Sequence, residues 1–408
     1  MAAGACVVLL LPAAAAAGSL PVVWAPGSWS WFGDPRAVHV GGAEGPTYAG
    51  WVDWSGDIVV GAFDPRLGSL GDEVIGHTYH DDHSDPSLLI EPDGRLTAFW
   101  SAHNGAQMSY RTTLHRGDIH AWGPAAQVHQ DIAGRYGFTY PNPVLLPAEH
   151  DQLYLFFRGA DWSVDFARRT PAGVWSRSHV AIRAPGQRPY VKVADDGRGT
   201  IALAFTGGHP RNTMASIYYA AYRHGSLWTA AGRWITRMGA PPIAPARAQL
   251  VYDARATGAP AWVWDVAFGR HGRPVIVYAT FPRRGGATYW YAVYSGRHWV
   301  SHRLTDGGGS ISPGTIEDQY AGGIALDHTN PSVVYASVQV PGGWEIQRWT
   351  TSDGGAHWMH ATVVGAGATD NVRPVVPRGY DGGPVGLLWL RGSYRSYTAY
   401  RTSIAFLR

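Results

Sequence analysis

The chain has 408 residues, with 52 Gly, 28 Pro, 19 Trp and 21 Tyr, and charged residues make up only 15%. That content is too aromatic and apolar for disorder and suits many short strands joined by tight turns. The net charge of +3 is spread out, and no Lys/Arg run suggests a nucleic-acid partner.

In chain order, the first segment reads as an export signal over residues 1–18. Val7 to Leu11 are apolar, and Ala13 to Ala17 supply small residues of the cleavage-site kind. The run is too short to span a bilayer, and no Lys or Arg precedes it. The expected location is therefore secreted or periplasmic. The only cysteine, Cys6, lies inside this segment. A mature chain would then have no disulfide and no cysteine-based metal site. Nothing beyond it looks like a linker, so residues 19–408 read as one domain.

That domain reads as repeats. One unit recurs: a turn with Gly, Asp or Pro, an apolar strand, a polar break and a second strand. Instances begin near Thr47, Gly94, Gln152, Gly199, Arg273, Ser332 and Pro384. Seven such units predict an all-β, seven-bladed β-propeller, in which radial sheets bury their faces against one another. Each unit supplies two central strands of a four-stranded blade. One unit also carries Thr351-Ser352-Asp353-Gly354-Gly355-Ala356-His357-Trp358, which fits the Asp-box pattern Ser/Thr-x-Asp-x-Gly-x-x-Trp. Asp353 would bind turn amides, the glycines would take positive φ, and Trp358 would pack beneath. This hairpin belongs on the face away from the chemistry.

Carboxylates give no good acid pair. The six glutamates are Glu44, Glu73, Glu91, Glu149, Glu317 and Glu345, and many aspartates sit in turns. Histidine, tyrosine and arginine show a pattern instead. His83 precedes the strand at 88–90, and His103-Asn104 follows the strand at 96–100. In an antiparallel pair these positions share one end, so both imidazoles can face one site. Tyr140-Pro141-Asn142, with Tyr136 as a rival tyrosine, precedes a strand, and the following strand ends in Arg158. Arg188-Pro189-Tyr190 precedes Lys192, and His209-Pro210-Arg211 follows the next strand. Three successive units thus place a ring residue before the first strand and a His or Arg after the second.

These runs (HDDHSDPSLLIEPDGRLTAFWSAHN, YPNPVLL with LYLFFRG, RPYVKV, GHPRN and YAGGIALDHTNPSVVYAS) resemble the BNR-repeat propeller lyases of the BNR-4 type. That group includes ulvan lyases and lyases that release rhamnose from glucuronate. The resemblance implies a seven-bladed propeller that cuts a rhamnose-(1→4)-glucuronate linkage by β-elimination. It implies catalytic roles for His83, His103, Tyr140, Arg158, Tyr190 and Arg211, with the two arginines holding the uronate. It implies substrate contacts from Asn104, Asn142, Arg188, Lys192, His209 and Tyr320. The expected partner is an anionic polysaccharide or oligosaccharide containing uronic acid, met by a monomer. No cofactor is required and no catalytic metal is expected; there is room for a structural calcium. Two rival readings are a sialidase- or rhamnosidase-like hydrolase and a lectin-like propeller that holds sugar without reacting.

Overall fold

The computed structural model describes residues 21–407 except 130, 133, 136, 284 and 285. Residues 1–18, expected to be an export signal, and Tyr136 therefore lie outside the described residues. Seven antiparallel sheets form blades in chain order over residues 37–77, 87–128, 139–182, 190–252, 261–308, 324–364 and 371–407. Each of the seven sequence units supplies the second and third strands of one blade. The first unit, for example, folds as Thr47–Val52 and Asp57–Asp64, and the last as Leu387–Ser396 and Ala399–Leu407. The second strands are apolar because they are covered on both faces by neighbouring blades: Thr200–Thr206 is buried throughout.

Six blades have four strands, but the fourth has six, against the expectation of four. The reason is that its third strand, Ile217–Arg223, is edged by two short strands in tandem. Ser226–Trp228 pairs with its C-terminal half and Gln249–Tyr252 with its N-terminal half. Ring closure uses both ends of the described chain. Val22–Pro26 pairs antiparallel with Ala399–Leu407 and becomes the outer strand of the seventh blade.

The segment after that strand fills the centre. Trp31 stacks on Trp264 at 4.4 Å, meets Trp262 and Tyr320 edge-on, and donates its indole N–H to the Val263 carbonyl. Phe32 packs on Tyr140 and Tyr190 from two further blades. Antiparallel order then fixes the faces. Loops that enter a first strand, and loops between second and third strands, open on one face. The Asp353 turn joins Gly343–Thr350 to Met359–Val364, a third strand to a fourth, so it lies on the other. There Asp353 accepts from the His357 amide at 3.0 Å, Gly354 and Gly355 have φ of 74° and 98°, and the Trp358 indole donates to the Gly355 carbonyl.

Because Trp31 joins strands of separate blades, Trp31→Ala should cost about 3–5 kcal/mol, the range for emptying a large core site. Chemical denaturation measures this. A loss below about 1 kcal/mol, the cost of an ordinary substitution, would show that the ring does not depend on its aromatic plug.

Candidate active site

The site is built around one turn. Asp81 caps a short 3-10 turn by accepting the His83 amide at 3.0 Å, and the same oxygen lies 2.7 Å from His83 Nδ1. Ser87 pairs with Phe99 in the following hairpin. Four residues outward from each, His83 and His103 meet. Their rings stack at 4.0 Å and 3°, and His103 Nδ1 lies 3.1 Å from the other Asp81 oxygen. One carboxylate therefore holds two imidazoles.

Two stacked rings do not both carry charge cheaply. Burial opposes charge on His83, but Asp81 and then Asp82 outweigh it and hold its pKa at about 9. Burial and then the His83 charge push His103 down to about 4, against the pull of Asp81. Asp81 itself is held well below the usual carboxylate range: its burial is overcome by the two histidines. As an ionised carboxylate it only accepts, so His103 carries its proton on Nδ1 and donates it to Asp81. His103 Nε2 is left with a free lone pair, on a side chain that is 24% exposed.

The third blade adds a tyrosine and a cation. Thr139 faces Arg158 in register, and a bulge follows in which Tyr140 takes φ of 59°. Arg158 lies over the Tyr140 ring at 4.7 Å and reaches Tyr190 at 5.8 Å. Its Nη2 donates to Asn104 Oδ1 and Thr139 Oγ1, and its Nε is buried without a partner. Asn104 thus positions Arg158 directly after His103 in sequence. Among the described residues no carboxylate pairs with Arg158, so its charge is available to an anion. Burial pushes the Tyr140 phenol well above its ordinary pKa, only partly offset by Arg158, so it is a proton donor at rest. Tyr190 is shifted upward for the same reason.

Other expected residues are differently placed. Arg211 reaches the rim, but its Nη1 donates to Glu317 Oε1 at 2.7 Å and to the Ile316 carbonyl. That commits its charge internally and leaves Arg158 as the arginine free for an anion. His209 accepts the Arg211 amide at Nδ1 and so donates from Nε2 to Glu317 at 3.2 Å; it holds the wall rather than offering a free ring. Arg188 lies on Trp162 at 4.2 Å. Tyr320 is buried, edge-on to Trp31. Asn142 and Lys192 correct the expectation of substrate contact. Asn142 donates to the Phe32 and Tyr140 carbonyls beneath the floor. Lys192 is sealed in the channel, bonded to Asp34 and the Trp31 carbonyl, where ion pairing offsets its burial.

The sequence reading passed over four residues that the geometry makes central: Asp81, Asp82, Arg373 and Tyr397. Asp82 accepts from Arg373 Nη1 at 2.5 Å and from Tyr394 Oη at 2.6 Å, and its other oxygen lies 3.1 Å from His83 Nδ1. Tyr397 stands edge-on to both histidines, at 4.8 and 5.6 Å. Both aspartates stood beside His83 in the motif. Tyr397 occupies, in the seventh unit, the same second-to-third-strand break as His103 in the second.

Asp81, His83 and His103 are also the one group, among the described residues, whose potential metal-ligating atoms all lie within 4.8 Å. The 2.7 Å separation of His83 Nδ1 from Asp81 is a hydrogen-bond distance. Two ligands of a tetrahedral zinc, each about 2.0–2.1 Å from the ion, stand further apart. The arrangement fits proton sharing better than a metal.

A cluster of imidazole, phenol and guanidinium thus stands on one face of a seven-bladed propeller. The chain matches the BNR repeat-containing family over residues 46–307 and belongs to that family. Its fold is similar to that of a PL25 ulvan lyase, a polysaccharide lyase solved with bound -[GlcA(1-4)Rha3S]-. The TM-score is 0.73 and the identity 14%, covering 96% of this chain and 95% of that one. It is also similar to polysaccharide lyase Uly1, with TM-score 0.59, identity 13% and coverage of 92% and 90%. No curated protein matches the chain in sequence. Among the described residues no helix is long and apolar enough to cross a membrane.

Imidazole NMR should find His83 protonated up to about pH 9 and His103 neutral down to about pH 4. His83 gains its proton's stabilisation on folding, so that contribution is full below its unfolded value of about 6.5 and fades as pH rises through about 9. Asp81→Asn removes the main attraction and should lower the His83 value. Two histidines titrating together near 6.5 would contradict this charge assignment.

Proposed function

We propose that the protein is a polysaccharide lyase that cleaves the bond to O4 of a glucuronate, in a rhamnose-(1→4)-glucuronate linkage, by β-elimination. The observation that carries the reading is the His83–Asp81–His103 arrangement, which leaves a neutral imidazole beside an unpaired guanidinium and a protonated phenol. Elimination needs the C6 carboxylate neutralised, the C5 proton removed and the departing O4 protonated. Arg158, with no carboxylate partner, pairs with the C6 carboxylate and stabilises the enolate as its charge builds. His103 Nε2 takes the C5 proton, and its imidazolium is stabilised by Asp81. The C4–O4 bond then breaks as the C4–C5 double bond forms, and Tyr140 gives its phenol proton to O4. In glucuronate, H5 and O4 lie on the same face, so base and acid can work from one side. The ulvan lyase of similar fold was solved with -[GlcA(1-4)Rha3S]-, a repeat in which rhamnose precedes the next glucuronate.

Hydrolysis fits less well. A glycosidase needs a protonated carboxyl at the scissile oxygen. The carboxyls of the pocket are Asp81, Asp82 and Glu317. Each is buried, yet neighbouring histidines or arginines keep it below its ordinary value and therefore ionised. Asp85 and Asp165, two acids that burial pushes upward, are sealed from solvent; Asp370, also pushed upward by burial, lies against Gly343 at the entry to the seventh blade rather than beside the histidine pair.

Mixed with ulvan, gum arabic or glycosaminoglycans, the protein should generate the absorbance of a 4,5-unsaturated uronate on at least one of them, undiminished by a chelator. His103→Ala and Tyr140→Phe should each lower kcat by about 10²-fold or more, the range for lost acid–base catalysis. Arg158→Ala should harm kcat and KM together. Circular dichroism must first show each variant folded. Saturated products carrying oxygen from heavy-oxygen water would decide for a hydrolase.

A further inference from the structure

A groove opens on the same face, between the seventh and first blades. It encloses about 500 Å3 and is lined by Trp54, His80, Ser393, Arg395, Tyr400 and Arg401. All of these stand at the end of their blades that also carries the histidine pair. Trp54 lies between the second and third strands of the first blade, His80 in the link to the second blade, and the rest around the Leu387–Ser396 to Ala399–Leu407 hairpin. The tip of that hairpin carries Tyr397, which stands against His83 and His103. One hairpin therefore lines the groove with its two strands and reaches the histidine pair with its tip.

Its lining is aromatic and cationic. Trp54 is 39% exposed, and its indole donates to the Thr402 carbonyl at 2.9 Å. His80 lies flat on Tyr400 at 4.1 Å and 15°, and its Nδ1 donates to the Trp54 carbonyl at 2.8 Å. Arg401 lies along the Trp54 ring at 5.3 Å. The hairpin is anchored from the far side, where Ser312 Oγ donates to the Arg395 carbonyl at 2.5 Å. Among the described residues neither Arg395 nor Arg401 has a carboxylate within ion-pair distance, whereas Arg169, Arg211 and Arg373 all do. Aromatic walls give a pyranose ring apolar area to pack on, and free guanidiniums bind carboxylate or sulfate through charge-assisted hydrogen bonds.

We propose that this groove is a distal subsite for a second acidic sugar of the same chain, bearing carboxylate or sulfate, so that the polymer lies across the face and is cut internally. The proposal rests on the lyase reading only for the identity of the polymer. Binding is measured directly by calorimetry, using tetrasaccharides and disaccharides prepared from ulvan, gum arabic and glycosaminoglycans. One of the tetrasaccharides should bind wild-type protein. Trp54→Ala and the pair Arg395→Gln/Arg401→Gln should each weaken it about tenfold, the equivalent of one lost charge-assisted contact. Disaccharide affinity should stay unchanged, and carboxyl-reduced, desulfated tetrasaccharide should bind wild-type protein no more tightly than the variants bind the acidic one. Unaltered tetrasaccharide affinity in folded variants, equal affinity for the neutralised sugar, or binding of none of the probes would overturn the subsite. The two readings fail separately. Loss of binding in the groove variants without any unsaturated product removes the lyase and keeps the subsite. Unsaturated product with unchanged groove affinities does the reverse.

Discussion

The carboxylate of Asp81, shared between two stacked imidazoles, is the constraint on which the site depends. Coulomb repulsion across 4.0 Å makes a second charge there costly at rest, and the single ionised carboxylate between the rings decides how protons are distributed and offsets that cost when His103 takes a proton. His83 is deeper, touches Asp82 as well and keeps the charge. His103 is nearer solvent, lies within the field of Arg158, and stays neutral. The same contact fixes which His103 nitrogen carries the proton, so charge and tautomer follow from one geometry.

That geometry in turn needs a rigid floor. Asp82 is locked by Arg373 and Tyr394 from the seventh blade, and Arg373 donates to the Trp29 carbonyl at 2.6 Å. The aromatic segment that fills the channel thus bears on the turn that carries His83. Tyr140 and Tyr190, from two more blades, lean on Phe32 of the same segment. His103 comes from the second blade and Tyr140 and Arg158 from the third, and the central plug bears on the turn and the tyrosine that set their spacing. This division of labour, with precise groups on strand ends and a packed centre beneath, is how a propeller can hold a preorganised site.

Much of this was legible in the sequence because strand-end position is a matter of register. Period-2 patterning located the paired middle strands, and antiparallel order then placed His83 opposite His103 and Tyr140 near Arg158. What could not be read was partner choice. Arg158 and Arg211 are the same residue type at equivalent positions, yet Glu317, brought in from a loop 106 residues away, pairs with one and leaves the other free. Lys192 follows Tyr190 by two positions on the same strand, but it points into the channel, where Asp34 claims it. Asp81 looked like one more turn aspartate. It is one, and its capping bond to the His83 amide is what aims the same oxygens at both rings. The extra strands of the fourth blade were hidden for another reason: three- and four-residue strands are too short to show a period.

The most direct measurement is the pH dependence of kcat/KM on a glucuronate polymer, for wild type and Asp81→Asn. With His103 as the neutral base and His83 kept charged, the wild-type profile should be a broad bell with limbs near 4 and near 9. Asp81→Asn should pull the alkaline limb inward as His83 loses its counter-charge, and should lower the plateau. A wild-type profile governed by one group near 6.5, or one that Asp81→Asn leaves unmoved, would contradict the account.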